Sequence, residues 1–440
     1  DSRQVRAGDL FVALAGERFD GHDFIRSAAD QGVKVFLVDS ARFPAEAVPA
    51  GITAVAVKDT LAALGDLAAR HRRRFDLPVA GITGSNGKTT VKEMLATILT
   101  LTGPGLKTAG NLNNLIGLPR MLFQLDGGHR WAVLEMGMSE PGEIDRLAEI
   151  AAPEVGVITN AFPAHLASMG SVEAVARAKG ELFLRLPTGG CAVCNGDDPL
   201  VSRLPVLSGV RRITFGLGEA EVTATGIENL GRRGQRFTLF LHGERLPILL
   251  KAFGAHNVTN ALAAAAAASA MSVPMDAIRE GLELFTPYDK RFNLEELEGA
   301  VLIDDSYNAN PASMRAALTT LRDIREGHRS IAVLGDMLEL GAIAAQAHRE
   351  TGKIAASCVD RLYVMGEMAQ TVADGAMEGG LSAKTVIVAT SHEEILDDLR
   401  QTVNPGDFIL VKGSRGMGME KVAEGLRRHF AGDFRKGAAA

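Results

Sequence analysis

Gly81-Ile-Thr-Gly-Ser-Asn-Gly-Lys-Thr-Thr90 stands between the apolar run Leu77-Pro-Val-Ala80 and the segment Val91-Lys-Glu-Met-Leu-Ala-Thr-Ile-Leu99. A strand therefore runs into a glycine-rich turn and then a helix. Backbone N–H groups at such a helix start have no partner inside the helix and lie at the positive end of its dipole, so they form a cradle for phosphate. Lys88 can reach terminal phosphate oxygens, and the Thr89 hydroxyl can sit on Mg2+. The strict P-loop pattern wants its first glycine at position 82, which is Ile82; here the glycines fall at Gly81, Gly84 and Gly87. Gly-Lys-Thr in a strand–turn–helix context still outweighs an ordinary glycine turn. The decapeptide predicts a user of nucleoside triphosphates.

Around this stretch the chain reads as a globular α/β protein. Its 440 residues are 46% hydrophobic and 23% charged, a length that suits about three domains. A net charge of -6 gives no sign of nucleic-acid binding. The longest apolar stretch, around Ala261–Ala270, is too short to span a bilayer. No signal peptide is evident, and Asp1 in place of Met leads us to expect further residues ahead of it. Cys191, Cys194 and Cys358 fit a reducing cytoplasm. Cys191-Ala-Val-Cys194 has no second pair for zinc and reads as part of a strand. No heptad or long exposed apolar stripe asks for a partner, so a monomer is expected.

From Pro78 to about Pro287, apolar strands (Val79–Ile82, Trp131–Leu134, Val155–Thr159) alternate with helices (Lys88–Leu101, Glu143–Ala151, Ser171–Leu186). Unbroken apolar strands between helices argue for a parallel sheet covered on both faces. Thr-rich alternation over Glu221–Leu250 predicts a small antiparallel patch, followed by a helix over Asn257–Met271. Residues 1–76 hold strand candidates Val33–Val38 and Thr53–Val57 and a helix Thr60–Arg74. Residues 288–440 restart the strand–helix pattern. The expected domains are thus 1–76, 77–287 and 288–440.

Open parallel sheets bind ligands beyond the carboxyl ends of their strands. Four strands here end in charged groups: Glu135, Asp304-Asp305, Asp336 and Lys412. Their spread over two expected domains predicts a site in the cleft between them. Glu135 is the candidate carboxylate on the Mg2+ side, since hard cations take oxygen ligands near phosphates. His165 follows another strand end and is either a metal ligand or a structural histidine. Lys179 falls on the apolar stripe of its helix, where a charged ammonium is costly. It either snorkels at the helix edge or is a neutral amine that reacts with CO2 to give a carbamate, a new oxygen ligand. Asn257 either caps the alanine-rich helix or, with Asn260, meets the nucleotide.

The motifs together resemble the Mur ligase family, ATP-dependent amide-bond ligases of peptidoglycan precursor synthesis. The resemblance rests on Gly84-Ser-Asn-Gly-Lys-Thr-Thr90, Gly110-Asn-Leu-Asn-Asn-Leu-Ile-Gly117, Glu135-Met-Gly137, Ala178-Lys-Gly-Glu181, Gly254-Ala-His-Asn257 and Asp304-Asp-Ser-Tyr-Asn-Ala-Asn-Pro311. Within the family, Val333-Leu-Gly-Asp-Met-Leu-Glu-Leu-Gly341 and Val411-Lys-Gly-Ser-Arg-Gly-Met-Gly-Met-Glu420 point to the member that adds D-alanyl-D-alanine to UDP-N-acetylmuramoyl-tripeptide. That resemblance implies three domains: an α/β N-terminal unit for the UDP substrate, a central P-loop-type doubly wound sheet with a small antiparallel patch for ATP, and a Rossmann-like C-terminal unit for the dipeptide.

Carried onto this sequence, Gly84, Ser85, Asn86, Gly87, Lys88, Thr89 and Thr90 would hold ATP phosphates. Thr89 and Glu135 would bind one Mg2+, with His165 and a carbamylated Lys179 serving a second. Asn257, Asn260, Arg291 and Asp305 would meet the nucleotide. Asn111, Asn113 and Asn114 would line the muramoyl-peptide path, and Ser2 with Arg3 would lie near UDP. Asn308, Asn310, Lys412 and Arg415 would be near the dipeptide. Two alternatives stay open: another ligase of the superfamily (third-amino-acid-adding or folylpolyglutamate-type), and a non-ligase switch that hydrolyses nucleotide.

Overall fold

The computed structural model describes residues 2–16, 19–44, 48, 51–163 and 166–437. Four sheets form among them. Leu10–Val12 (β1), Val35–Asp39 (β2) and Thr53–Val57 (β3) make a parallel sheet in the order 1-2-3. The helix Thr60–Arg72 follows, its first turn capped by Asp59. It packs against the helices Gly117–Leu122 and Glu143–Ala151 of the next unit, and Ala68 and Ala69 join that unit's core. Arg72 staples this docking: buried, it donates to the carbonyls of Ala151 (3.1 Å), Phe75 (2.8 Å) and Leu77 (3.2 Å).

The central sheet contains Val79–Thr83 (β4), Leu106–Lys107 (β5), Ala132–Glu135 (β6), Val155–Ile158 (β7), Cys191–Asn195 (β8) and Arg211–Phe215 (β9). Its order is β5-β6-β4-β7-β8-β9, parallel throughout. The chain leaves β4 toward one side and returns to the other, so the crevice where strand order reverses opens at the carboxyl end of β4. Thr223–Asn229 (β10), Gln235–Leu241 (β11) and Glu244–Leu250 (β12) form the expected antiparallel patch. Between that patch and the central sheet runs the helix Ala255–Ala270, in which Ala263 through Ala268 are all fully buried. Side chains no larger than methyl let this helix sit close to strands on both sides, and the resulting contact is dense.

The last sheet holds Asn293–Leu297 (β13), Ala300–Asp305 (β14), Ser330–Gly335 (β15), Arg361–Met365 (β16), Val386–Ala389 (β17) and Phe408–Lys412 (β18). Its order is β13-β14-β18-β15-β16-β17, with β13 the antiparallel edge. Asp305 and Lys412 are register partners on neighbouring strands, so their side chains leave the sheet on the same face. Among the described residues no helix is long and apolar enough to cross a membrane. Cys191, Cys194 and Cys358 are buried and free, as the strand reading of Cys191-Ala-Val-Cys194 requires.

Candidate functional site

The glycine-rich turn emerges from β4, where Gly84 and Gly87 adopt φ values of 149° and 82°. A side chain at Gly84 would run into Thr159 Oγ1, and one at Gly87 into Asn260 Oδ1. Glycine is therefore required at both places for backbone conformation and for space. Gly87 is also the N-cap of the helix Lys88–Thr100 and supplies no side-chain cap. The first-turn N–H groups are left facing a cavity of about 820 Å3 whose wall includes Gly84 through Thr90. An uncapped helix start opening into a cavity is an anion site by construction.

Glu135 lies beside this turn because β6 pairs with β4 in a register that sets it against Ile82. Its carboxylate accepts from the Thr89 hydroxyl (2.9 Å) and from Asn113 Nδ2 (2.9 Å). A hydroxyl and a carboxylate in contact make a hard oxygen pair that suits Mg2+. Among the described residues no three His, Cys, Asp or Glu side chains gather to cage a metal. Lys88 donates to the Gly84 carbonyl at 2.6 Å. Burial lowers its pKa, Arg291 lowers it further and Glu135 opposes both.

From the C-terminal side, Arg291 donates to Thr89 Oγ1 (3.2 Å) and stacks on Tyr307, 3.9 Å from the ring centroid. Among the described residues its buried Nε has no hydrogen-bond partner, a donor that an incoming anion would satisfy. Lys412 donates to Asp305 Oδ2 (2.6 Å) and to the Asn308 carbonyl (3.0 Å). Asn310 and Asn86 exchange side-chain amide hydrogen bonds of 2.6 and 3.2 Å, so the turn is held from across the cleft. Of the four charged strand ends, Glu135, Asp305 and Lys412 line the cavity. Asp336 does not: its carboxylate is used locally, accepting from the Met368 N–H near His348. Asp304, one residue before Asp305, points the other way and pairs with Arg427.

Lys179 is 3% exposed and reaches the same cavity. No hydrogen-bond or ion-pair partner for it occurs among the described residues. Burial holds its pKa well below the usual lysine range, and the nearby Lys88 charge pushes in the same direction. A neutral amine with an open flank is chemically suited to carbamate formation. Asn257 is not the helix cap, which is Gly254. It donates instead to the Phe253 carbonyl and accepts from Asn260, and both asparagines line the cavity.

The cavity wall also takes in Asn113, Asn114, Arg291, Asn308 and Asn310. Asn111 is exposed and Arg415 sits on the rim, its guanidinium 6.0 Å from the Tyr307 ring and paired with Glu420. Ser2 and Arg3 lie elsewhere; Arg3 lines a separate depression with Arg6 and Asp9. His165 falls outside the described residues. Sequence reasoning passed over Tyr307, His256 and Asn160 as site residues. Asn160 accepts from the Asn86 N–H at 2.8 Å and follows the end of β7, so the strand-end rule could have found it. His256 lines the cleft wall and is exposed as a residue. Desolvation by the surrounding protein and the Lys412 charge take its pKa down to about 4, against the pull of Asp305.

Comparison with known proteins agrees along the whole chain. Residues 82–268 match the Mur ligase middle domain, 290–415 the Mur ligase glutamate ligase domain, and 1–72 the Mur ligase family catalytic domain. The UDP-N-acetylmuramoyl-tripeptide–D-alanyl-D-alanine ligase of Escherichia coli is 37% identical over 98% of this chain and 93% of its own. The Bacillus subtilis enzyme of the same name is 35% identical over 97% of this chain and 92% of its own. Among solved structures, MurF from Acinetobacter baumannii superposes with a TM-score of 0.89 at 36% identity, covering 97% of this chain and 92% of that one. MurF ligase from Thermotoga maritima in complex with ADP gives 0.87 at 29% identity, covering 98% and 97%. With this identity sustained from end to end and the architecture shared, the chain belongs to the Mur ligase family.

Proposed function

We propose that this chain is an ATP-dependent ligase of peptidoglycan precursor synthesis. It joins the amine of D-alanyl-D-alanine to the terminal carboxylate of UDP-N-acetylmuramoyl-tripeptide and releases ADP and phosphate. The relatives that match it almost end to end carry this activity in their names, and the ADP-bound neighbour supports adenine nucleotide as the energy source. The observation that carries the reading is a single cavity walled by the uncapped turn, Glu135 and Lys179 on one side and by Asp305, Asn308 and Lys412 on the other.

In the reaction, a carboxylate oxygen of the tripeptide attacks the γ-phosphorus and ADP leaves, giving an acyl phosphate. The dipeptide amine then attacks the acyl carbon, phosphate departs and the amine gives up its proton. Phosphoryl transfer of this kind asks the protein for positioning and charge neutralisation more than for covalent chemistry. Gly84 through Thr90 hold the phosphates, with Lys88 swinging from the Gly84 carbonyl to the transferred group. Thr89 and Glu135 would hold one Mg2+, and His165 with a carbamylated Lys179 a second; when bound, the ions would neutralise phosphate charge. Asn257, Asn260, Arg291 and Asp305 meet the nucleotide. Asn111, Asn113 and Asn114 follow the peptide, Ser2 and Arg3 the uridine end, and Asn308, Asn310, Lys412 and Arg415 the dipeptide. Residues 1–76, 77–287 and 288–440 divide these tasks, and the enzyme works as a cytoplasmic monomer.

The test is phosphate release measured with each substrate omitted in turn. A ligase requires ATP, the UDP-muramoyl-tripeptide and the dipeptide together. Release that proceeds with ATP alone would identify a nucleotide-hydrolysing switch and overturn the reading.

A further inference from the structure

Lys92 lies on the helix Lys88–Thr100, one turn beyond Thr89, and is fully buried. Its ammonium donates to the Thr108 carbonyl (2.8 Å), pairs with Glu93 (2.9 Å) and stands 5.3 Å from the centroid of the Tyr288 ring. Glu93 does not depend on it for charge balance, because Lys107 pairs with the same carboxylate. Taking an ammonium out of water costs on the order of several kcal/mol. A methionine of similar length would fill the space without that cost.

Both of its other partners lead to the Thr89–Glu135 pair. On one side, Thr108 Oγ1 accepts from the Glu135 N–H at 2.9 Å. On the other, the Tyr288 carbonyl accepts from the Arg291 N–H (3.1 Å), and Arg291 donates to Thr89 (3.2 Å). Thr89 donates to Glu135 (2.9 Å). The contacts therefore close into a ring: Lys92, Thr108, Glu135, Thr89, Arg291, Tyr288 and back to Lys92. Three chain segments meet in it, namely the helix after the turn, the β5–β6 edge, and the connection between the central and C-terminal sheets.

We infer that Lys92 is a positioning residue that fixes Glu135 against Thr89 and ties their placement to the connection carrying Arg291. The inference rests on the reading of Thr89 and Glu135 as the Mg2+ side of a ligase site. Residues that orient a metal ligand from behind typically change metal affinity by about 10–100-fold when removed.

Binding of Mn2+ in the presence of ADP, followed by electron paramagnetic resonance, provides the readout apart from turnover, alongside kcat and KM for ATP. Lys92→Met weakens Mn2+ binding by about tenfold or more and lowers kcat, while ADP binding without divalent ion stays within about twofold. Lys92→Arg, which keeps a buried donor, restores part of the loss. Mn2+ affinity equal to wild type in Lys92→Met overturns the inference. Where Lys92→Met does not fold, Thr108→Val serves in its place: it removes the acceptor for Glu135 and is held to the same weakening, with unchanged affinity again overturning the idea. A wild-type protein that binds no Mn2+ with ADP would sink the ligase reading itself, whereas a normal wild type with an unaltered variant sinks only the role of Lys92.

Discussion

Lys179 is a liability to the fold. An amine buried to 3% exposure with no protein partner among the described residues costs free energy when it takes a proton. Its folded pKa is depressed below the unfolded value, so between the two the unfolded chain binds a proton that the folded chain does not. Stability from this group is therefore complete above the unfolded lysine pKa and falls as pH drops toward the folded value. Lys179→Met should raise the central unit's melting midpoint at neutral pH by about 2–4 °C per kcal/mol recovered, read by differential scanning calorimetry. The same change should abolish turnover. Lys179→Ala should be equally inactive, with partial rescue by small carboxylates that replace the carbamate oxygens. Full activity in either variant would end the carbamate proposal. His256 follows the same sign: with its pKa taken down to about 4, it stays neutral at physiological pH. Its small contribution, screened by cleft water, is lost as pH falls from the ordinary histidine value through about 4. His256→Gln should flatten the acid limb of the melting profile over that window.

The helix Pro311–Ile324 shows how one residue can serve two elements. Asn310 is its N-cap, accepting from the Ser313 N–H at 2.9 Å in a capping box with Pro311 in the first turn. The same side chain reaches across to Asn86 in the phosphate turn. Asn310→Ala should cost about 1 kcal/mol from the lost cap and also weaken ATP binding. Asn310→Asp keeps the cap, so thermal stability should survive while the amide donated to Asn86 is lost. Calorimetric melting paired with ATP titration separates the two effects.

Inner strands of the parallel sheets could be read in advance because burial on both faces leaves uninterrupted apolar runs such as Trp131–Leu134 and Phe408–Val411. Two edge strands could not. Leu106–Lys107 offers two residues and no period, and Asn293-Leu-Glu-Glu-Leu297 carries charges that an antiparallel edge tolerates. The phosphate turn was plain because its glycines answer a local demand. Tyr307 was not, since its position under Arg291 depends on contacts across the cleft, and Asp336 misled because a strand-end carboxylate can equally serve its own loop.

The central and C-terminal units share polar contacts, among them Asn86 with Asn310, Arg291 with Thr89, Arg232 with Glu296 and Asn229 with the Asp323 carbonyl, beside the ring contact of Phe253 with Phe292. Interfaces of this kind permit relative motion as the default, and an acyl phosphate has to be kept from water. A non-hydrolysable ATP analogue together with UDP-muramoyl-tripeptide should therefore reduce the radius of gyration measured by small-angle scattering. An unchanged profile would argue against closure.

The first three strands behave differently, because the helix that follows them is stapled by Arg72 onto the neighbouring body. The mechanical seam thus falls near Lys58–Asp59, ahead of that helix. A chimera spliced there would exchange the first three strands as a detachable head and keep the helix seated on the neighbouring body, whereas a splice after the helix would tear a wall from that body.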